Sequence, residues 1–490
     1  MEQLVKRLAK MTAGYGMVQW AGPFLSLAFT PIITRILNPD DYGTADYIMT
    51  IGSAAANLAL LALSQALGAH FNDQPDPAWQ RRVTGSALVL AAVNGLIVGG
   101  LIVLLAPQLA GSAPVSQGYT GLFRLVGTLL VFGLCSSVLT AAAQLALRVR
   151  WGMWLSLTQI LATVAGNVLF IIILRWGVTG MVLVPGLMSG ALCLVGLALV
   201  RPLIGRPSWA TSRLLLHAGL WLLPATLAGW ALQVADRLIL AQYVSAEELG
   251  HYAIANKIAS LLFVAIGPLF TAYTPLALAI QHQPDARQRY ATLARYLMAA
   301  VLFAGLGLGL FAMELLIVLT RTAYLPAAVY VGFLAYMHIF GALYQILYTG
   351  GLAGKQFSSI TWAVVAGTLV NLGLNVLLIP PYRLWGATAA TFISYAVSPA
   401  LLYMWLRRRY PVPYPAGRIG AALAVQLALL AAGLFIPPMT FPLRVGLKLI
   451  VWLLLPVAYV MIGMLTASEL QQARGLLRQR LTTRRPVTGG

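Results

Sequence analysis

Apolar runs about twenty residues long, separated by short polar turns, recur along the whole of this 490-residue chain. At about 1.5 Å of rise per residue, each run can cross the ~30 Å hydrocarbon core of a bilayer as a helix. Charged residues make up 9% of the chain and hydrophobic ones 60%, whereas soluble domains are roughly a quarter charged. The alternating strands of about ten residues that build a membrane barrel are absent, and no polar stretch is long enough for a soluble domain. The chain reads as an all-α polytopic membrane protein.

Fourteen spans are expected, near 14–34, 44–68, 85–106, 119–145, 153–174, 180–200, 218–243, 250–278, 292–319, 326–349, 360–380, 386–406, 418–436 and 445–466. An even number puts both termini on one side. Of the 32 Lys and Arg residues, 23 fall on that side, among them Lys6, Arg81, Arg201, Arg287 and Arg407 to Arg409; six fall opposite (Arg35, Arg175, Arg321, Arg383, Arg444 and Lys448) and three within spans. Cytoplasmic loops carry such an excess, so both termini are expected in the cytoplasm. The same segregation accounts for the net charge of +20, and nucleic acid is not an expected partner. Cys135 and Cys193 lie inside apolar runs and read as small core residues. The start, Glu2 to Lys10 and then an apolar run to Ile33, has no obvious small-residue cleavage site and reads as a retained first helix. The basic tail reads as a solvated segment near anionic headgroups.

A corner between the first two runs is built twice. Asp40-Asp41-Tyr42-Gly43, with Tyr47 nearby, is echoed by Glu247-Glu248-Leu249-Gly250-His251-Tyr252, an offset of 207 residues at the glycines. Asn167-Val168-Leu169 followed by Arg175-Trp176-Gly177 returns as Asn375-Val376-Leu377 and Arg383-Leu384-Trp385-Gly386, an offset of 208. Six spans per copy is even, so the copies point the same way, an arrangement found in transporters with the substrate path between lobes. Two parallel six-helix lobes are expected around a central cavity, over 1–206 and 207–410. Two extra helices and the tail follow over 411–490.

Ionisable groups inside spans are costly and usually face a bundle interior or a wet cavity. Here they are Asp46, Arg124, Asp236, Arg237, Lys257 and Glu314, with Arg35 at a helix end. All seven project onto the outer half of the bilayer, with four positive charges against three negative. One reading is a cationic pocket for a phosphate-bearing substrate: Arg35, Lys257, Arg237 and Arg124 bind, while Asp46, Asp236 and Glu314 set geometry, pair charges or carry a coupling ion. The plainer reading pairs Asp46 with Arg35 and Asp236 with a neighbouring base, and lets the rest reach the interface. Asn167 and Asn375 suggest an interhelical hydrogen bond. Gly95, Gly99, Gly305, Gly307 and Gly309 allow close packing, and Pro23, Pro224, Pro268 and Pro275 interrupt the first helices of each lobe. His338 reads as a satisfied core histidine.

Taken in order, Thr34-Arg35-Ile36-Leu37 through Gly43, Pro224 through Arg237, Gly250 through Lys257 and Asn375 through Ala387 resemble the multidrug/oligosaccharidyl-lipid/polysaccharide exporter superfamily. Within it they resemble the bacterial polysaccharide transporters, the O-antigen-type flippases. The resemblance implies a multi-pass protein of the bacterial inner membrane that flips an undecaprenyl-pyrophosphate-linked glycan from the cytoplasmic to the periplasmic leaflet. This would serve lipopolysaccharide or exopolysaccharide export, with polymerase or chain-length machinery as partners and no cofactor. Lipid II flippases of the superfamily use cationic residues on spans one and eight and an acid on span two. Arg35, Lys257 and Asp46 match those places, with lysine standing where arginine is expected.

A drug/cation antiporter of the same superfamily is the second reading, although its cationic substrates suit an acid-dominated lumen. A glycan polymerase or ligase would need a large outer loop, and the longest here is about a dozen residues. No metal-ligand cluster, nucleophile elbow or nucleotide loop is present, so no catalytic or metal residue is assigned.

Overall fold

Every regular element in the computed structural model, which describes residues 29–465 except 72, 75, 112–116, 147–148, 281–282 and 438–439, is a helix. Helix α1 is described over 29–36, so most of the first expected span and the tail lie outside the described residues. Helix α2 (Pro39–Leu60) starts where the sequence supplies each part of a helix start. The Asn38 side chain accepts from the Asp41 backbone N–H at 2.8 Å, Pro39 opens the first turn, and Asp40 and Asp41 sit at the positive end of the helix dipole. Left-handed Leu61 and Ala62 (φ 48° and 52°) bend the chain into α3 (Leu63–His70).

Next come α4 (Pro77–Gly111), α5 (Thr120–Leu145) and α6 (Val149–Gly166), which runs into a π-helical stretch over Asn167–Ile173. They are followed by α7 (Gly177–Val200), α8 (Trp209–Leu240), α9 (Ala246–Ala279), α10 (Ala286–Leu310), α11 (Ala312–Leu319) and α12 (Ala328–Ala353). The last helices of the described residues are α13 (Phe357–Arg409), α14 (Ala416–Leu434) and α15 (Phe441–Ile462).

The internal repeat is visible in the backbone. Where Asn38 caps α2, Ser245 caps α9: its Oγ accepts from the Glu248 N–H at 3.2 Å, and Glu248 Oε2 accepts from the Ser245 N–H at 3.1 Å. This reciprocal pair is a capping box. At the second repeated segment, Arg175 and Arg383 both have left-handed φ, 54° and 49°.

Ten segments among the described residues are long and apolar enough to cross a membrane, or eleven if Trp209–Pro224 and Thr226–Leu240, bent by 45°, form one span. That bend falls at Pro224, where a proline removes a backbone hydrogen bond. The count of fourteen is not confirmed by this tally, which takes α13 once. If straight, its 53 residues would run about 80 Å; instead it folds back at Arg383. Asn371 Nδ2 donates to Ser394 Oγ across the fold at 2.9 Å, and Asn375 Nδ2 donates to Asn371 Oδ1 at 2.9 Å. The residue that ties the two halves of α13 is therefore Asn371, while Asn375 bonds within its own half and leaves its Oδ1 buried without a partner. Asn167 likewise donates from Nδ2 to the Thr163 carbonyl of its own helix at 2.7 Å, so the interhelical expectation is corrected at both asparagines. The expectation for His338 also changes, since its Nε2 is buried without a hydrogen-bond partner, while its ring packs 5.8 Å from that of Phe263.

Apolar burial drives little association inside lipid, so helices meet where small residues let backbones approach. A Cβ on Gly95 would stand 2.7 Å from Val131 Cα, and Gly99 and Gly127 each press on the other's carbonyl across the α4–α5 contact. A Gly99→Leu variant is expected to lose about 1–3 kcal/mol of stability through overpacking, read as a lower melting temperature in detergent. Gly100→Leu, where a Cβ meets nothing within 4 Å, should leave melting unchanged.

Helices α14 and α15 are fastened to α10 and α11. Trp452 stacks on Phe303 at 4.4 Å and donates to its carbonyl at 2.8 Å; Tyr459 donates to the Ala299 carbonyl at 2.9 Å. Gly307 lies beneath the Trp452 ring, and Gly309 meets Leu430 and Gly332. Glu314, buried at the start of α11, takes Lys448 Nζ at 2.8 Å and Arg444 Nε at 2.9 Å. Lys448 lies within α15 and is 7% exposed.

Candidate functional site

The two copies of the repeated corner meet. Gly43 lies against the Ala246 carbonyl and the Gly250 N–H, and Gly250 lies against the Pro39 carbonyl, with no room for a Cβ at either position. The first turns of α2 and α9 therefore touch backbone to backbone, each helix start set by its own cap. Around this contact Tyr324 donates to the Leu37 carbonyl at 3.0 Å, and Thr34 donates to the Leu319 carbonyl at 3.0 Å. His251 Nε2 is 2.8 Å from the Ala323 carbonyl, which makes that nitrogen the protonated one. At the rim Arg383 Nη1 stands 3.6 Å from Glu248 Oε1.

Behind the corner, the seam between α2, α8 and α9 gathers charge. Arg237 on α8 reaches Asp46 on α2 through one ion pair, Nη1 to Oδ1 at 3.5 Å. The pair is incomplete: Asp46 Oδ2 and Arg237 Nε are both buried without a partner. Neighbouring Asp236, 6% exposed, is fully engaged. It accepts from the Tyr252 hydroxyl at 2.5 Å and from the Arg237 backbone N–H at 2.8 Å. Eleven residues into α9, about 16 Å along its axis, Lys257 places its ammonium 5.9 Å over the Tyr42 ring. Such a contact suits a cation that has left water. Among the described residues no carboxylate lies within ion-pair distance of Lys257 Nζ.

The structure thus brings Asp46, Asp236, Arg237 and Lys257 together. Arg35 and Arg124 are exposed and make no ion pair among the described residues, and Glu314 is committed to α15. Asp46 pairs with Arg237 and not with Arg35. The seam is also charge-balanced, two acids against two bases, where the sequence suggested a net positive set. Tyr252, the hydroxyl that holds Asp236, went unassigned, although its place in the repeated corner was a signal. Among the described residues no group of His, Cys, Asp and Glu could hold a metal ion.

The lipid II flippase MurJ in an inward closed conformation superposes with a TM-score of 0.68 at 13% identity, covering 92% of this chain and 99% of that one. A multidrug resistance MATE family transporter of the MOP superfamily matches in its inward-facing form at 0.63, with 14% identity, 78% of this chain and 93% of that one. An outward-facing form of such a transporter matches at 0.56, with 14% identity, covering 82% and 95%. No curated protein matches the chain. The class is that of a multi-pass α-helical membrane protein with the fold that these flippase and transporter structures share. Residues 32–329, more than half of the chain, match the model for polysaccharide biosynthesis proteins, and the chain belongs to that family.

Proposed function

We propose that this chain is a flippase that carries a polyprenyl-pyrophosphate-linked oligosaccharide from the cytoplasmic to the periplasmic leaflet by alternating access. In this reading the lobes over 1–206 and 207–410 enclose a wet chamber, the sugars occupy it, and the prenyl tail stays in lipid. The observation that carries the proposal is Lys257, a cation eleven residues into α9 whose ammonium stands over the Tyr42 ring and which, among the described residues, has no carboxylate within ion-pair distance. A diphosphate entering the seam supplies the missing anion. It can also take Arg237 from Asp46, because that single 3.5 Å contact leaves an atom unsatisfied on each partner. The displaced Asp46 is then free to bind a coupling cation. Contact of Gly43 and Gly250 closes the seam at one face, and parting them opens it. Membership of a polysaccharide biosynthesis family supports a glycan cargo.

In a strain lacking the gene, Lys257→Met is expected to insert normally but to lower surface polysaccharide at least tenfold, with lipid-linked units accumulating on the inner leaflet. A loss of one charge-assisted phosphate contact is of that order. Lys257→Arg should retain export. Undiminished export by Lys257→Met would remove the phosphate-binding role, and altered dye efflux with normal surface polysaccharide would favour the antiporter.

A further inference from the structure

The fold-back of α13 creates a second site at the far end of the same hairpin. Its first and last turns flank an open cleft of about 350 Å³ lined by Ser358, Ser359, Trp362, Trp405 and Arg409. Arg409 Nη1 donates to Ser359 Oγ at 3.3 Å and to Ser358 Oγ at 3.5 Å. Ser359 is 3% exposed, so one wall of the cleft is a buried hydroxyl, while Trp362 is 62% exposed and forms its outer lip. No carboxylate among the described residues pairs with Arg409. The surroundings add further positive charge: Arg407, Arg408 and Lys355 are exposed, and Arg287 stacks 4.8 Å over Tyr410. The first bond donated within α13 runs from Ile360 to the Gln356 carbonyl, and the free N–H groups before it add their dipole.

The geometry points to a binding site for the phosphate of a membrane lipid, held by the Arg409 guanidinium and the two serine hydroxyls between the Trp362 and Trp405 indoles. The chemistry selects each part of that ligand. A guanidinium fork with adjacent hydroxyl donors matches a tetrahedral oxyanion better than an ammonium does. Tryptophan concentrates at headgroup depth in membranes, and indoles flanking the phosphate would cover the glycerol and first methylenes of a chain. Phe357, next in the chain to Ser358, is 60% exposed. A free phosphate would use the donors and leave the indoles idle, so the occupant is a lipid. The site is separate from the α2–α8–α9 seam and does not depend on what the chain transports.

Native mass spectrometry and thermal melting of the full-length protein in detergent test this, with phosphatidylglycerol, diacylglycerol and inorganic phosphate as probes. Phosphatidylglycerol should give a one-to-one adduct and raise the melting temperature; diacylglycerol and inorganic phosphate at the same concentration should do neither. Arg409→Ala and the double change Ser358→Ala/Ser359→Ala should each weaken the adduct roughly tenfold or more, and Arg409→Lys by less. Trp362→Ala, at an exposed position outside the core, should weaken it severalfold while leaving the lipid-free melting temperature in place. An unchanged adduct in Arg409→Ala and Trp362→Ala overturns the site. Equal binding of diacylglycerol would mean an apolar groove without phosphate recognition. A melting shift with inorganic phosphate that lipid does not exceed would mean a soluble-anion site.

Discussion

Glu314→Gln is expected to be among the most damaging single changes outside the seam. It leaves Lys448, 7% exposed within α15, with no counter-ion among the described residues, and removes the negative charge paired with Arg444. Breaking one side of a buried ion pair costs about 3–5 kcal/mol, because the remaining charge stays desolvated and unpaired. In detergent this should appear as a large fall in melting temperature, with the α14–α15 loop becoming sensitive to protease. Replacing both partners by apolar residues, Glu314→Leu with Lys448→Leu, should recover most of the loss, since an apolar pair of similar volume has nothing to desolvate. If the single variant melts like the parent, Lys448 reaches water by another path and the pair does not fasten α15.

The second large effect is expected at Arg237. Arg237→Met takes the only ion-pair partner of Asp46 seen among the described residues from the seam, leaving its two acids, Asp46 and Asp236, against Lys257 alone. Export should fall more than tenfold, and stability by about 2–4 kcal/mol, somewhat less than at Glu314 because both partners keep some access to water. Adding Asp46→Asn should restore stability, as residues in one network couple by roughly 0.5–3 kcal/mol. Export should stay low in the double variant, because the proposed diphosphate ligand is still missing. Recovery of export along with stability would reduce Arg237 to a structural partner of Asp46.

Much of this architecture is legible in the chain before any coordinates. Helix α2 starts at Asn38-Pro39-Asp40-Asp41 because those residues cap, preset φ and complement the dipole using only near neighbours. The duplicated corner announces itself because Ser245 and Glu248 answer the same local need 207 residues later. The meeting of the two copies, Gly43 on Ala246 and Gly250 on Pro39, is not written in either copy. Nor is the choice of Arg237 over Arg35 for Asp46, or of Lys448 and Arg444 for Glu314.

Hydropathy, capping and loop charge are sums over neighbouring residues, so the sequence alone determined a membrane protein of bundled helices, their approximate limits and the place of a repeated corner. Which charge answers which depends on how helices far apart in the chain are rotated and how closely their backbones approach. A turn of one helix by one residue, about 100°, exchanges a seam-facing side chain for one that faces lipid. For that reason only the tertiary structure decided that the seam is charge-balanced, that the Lys257 ammonium stands over a tyrosine ring, and that the two ends of α13 meet at Arg409.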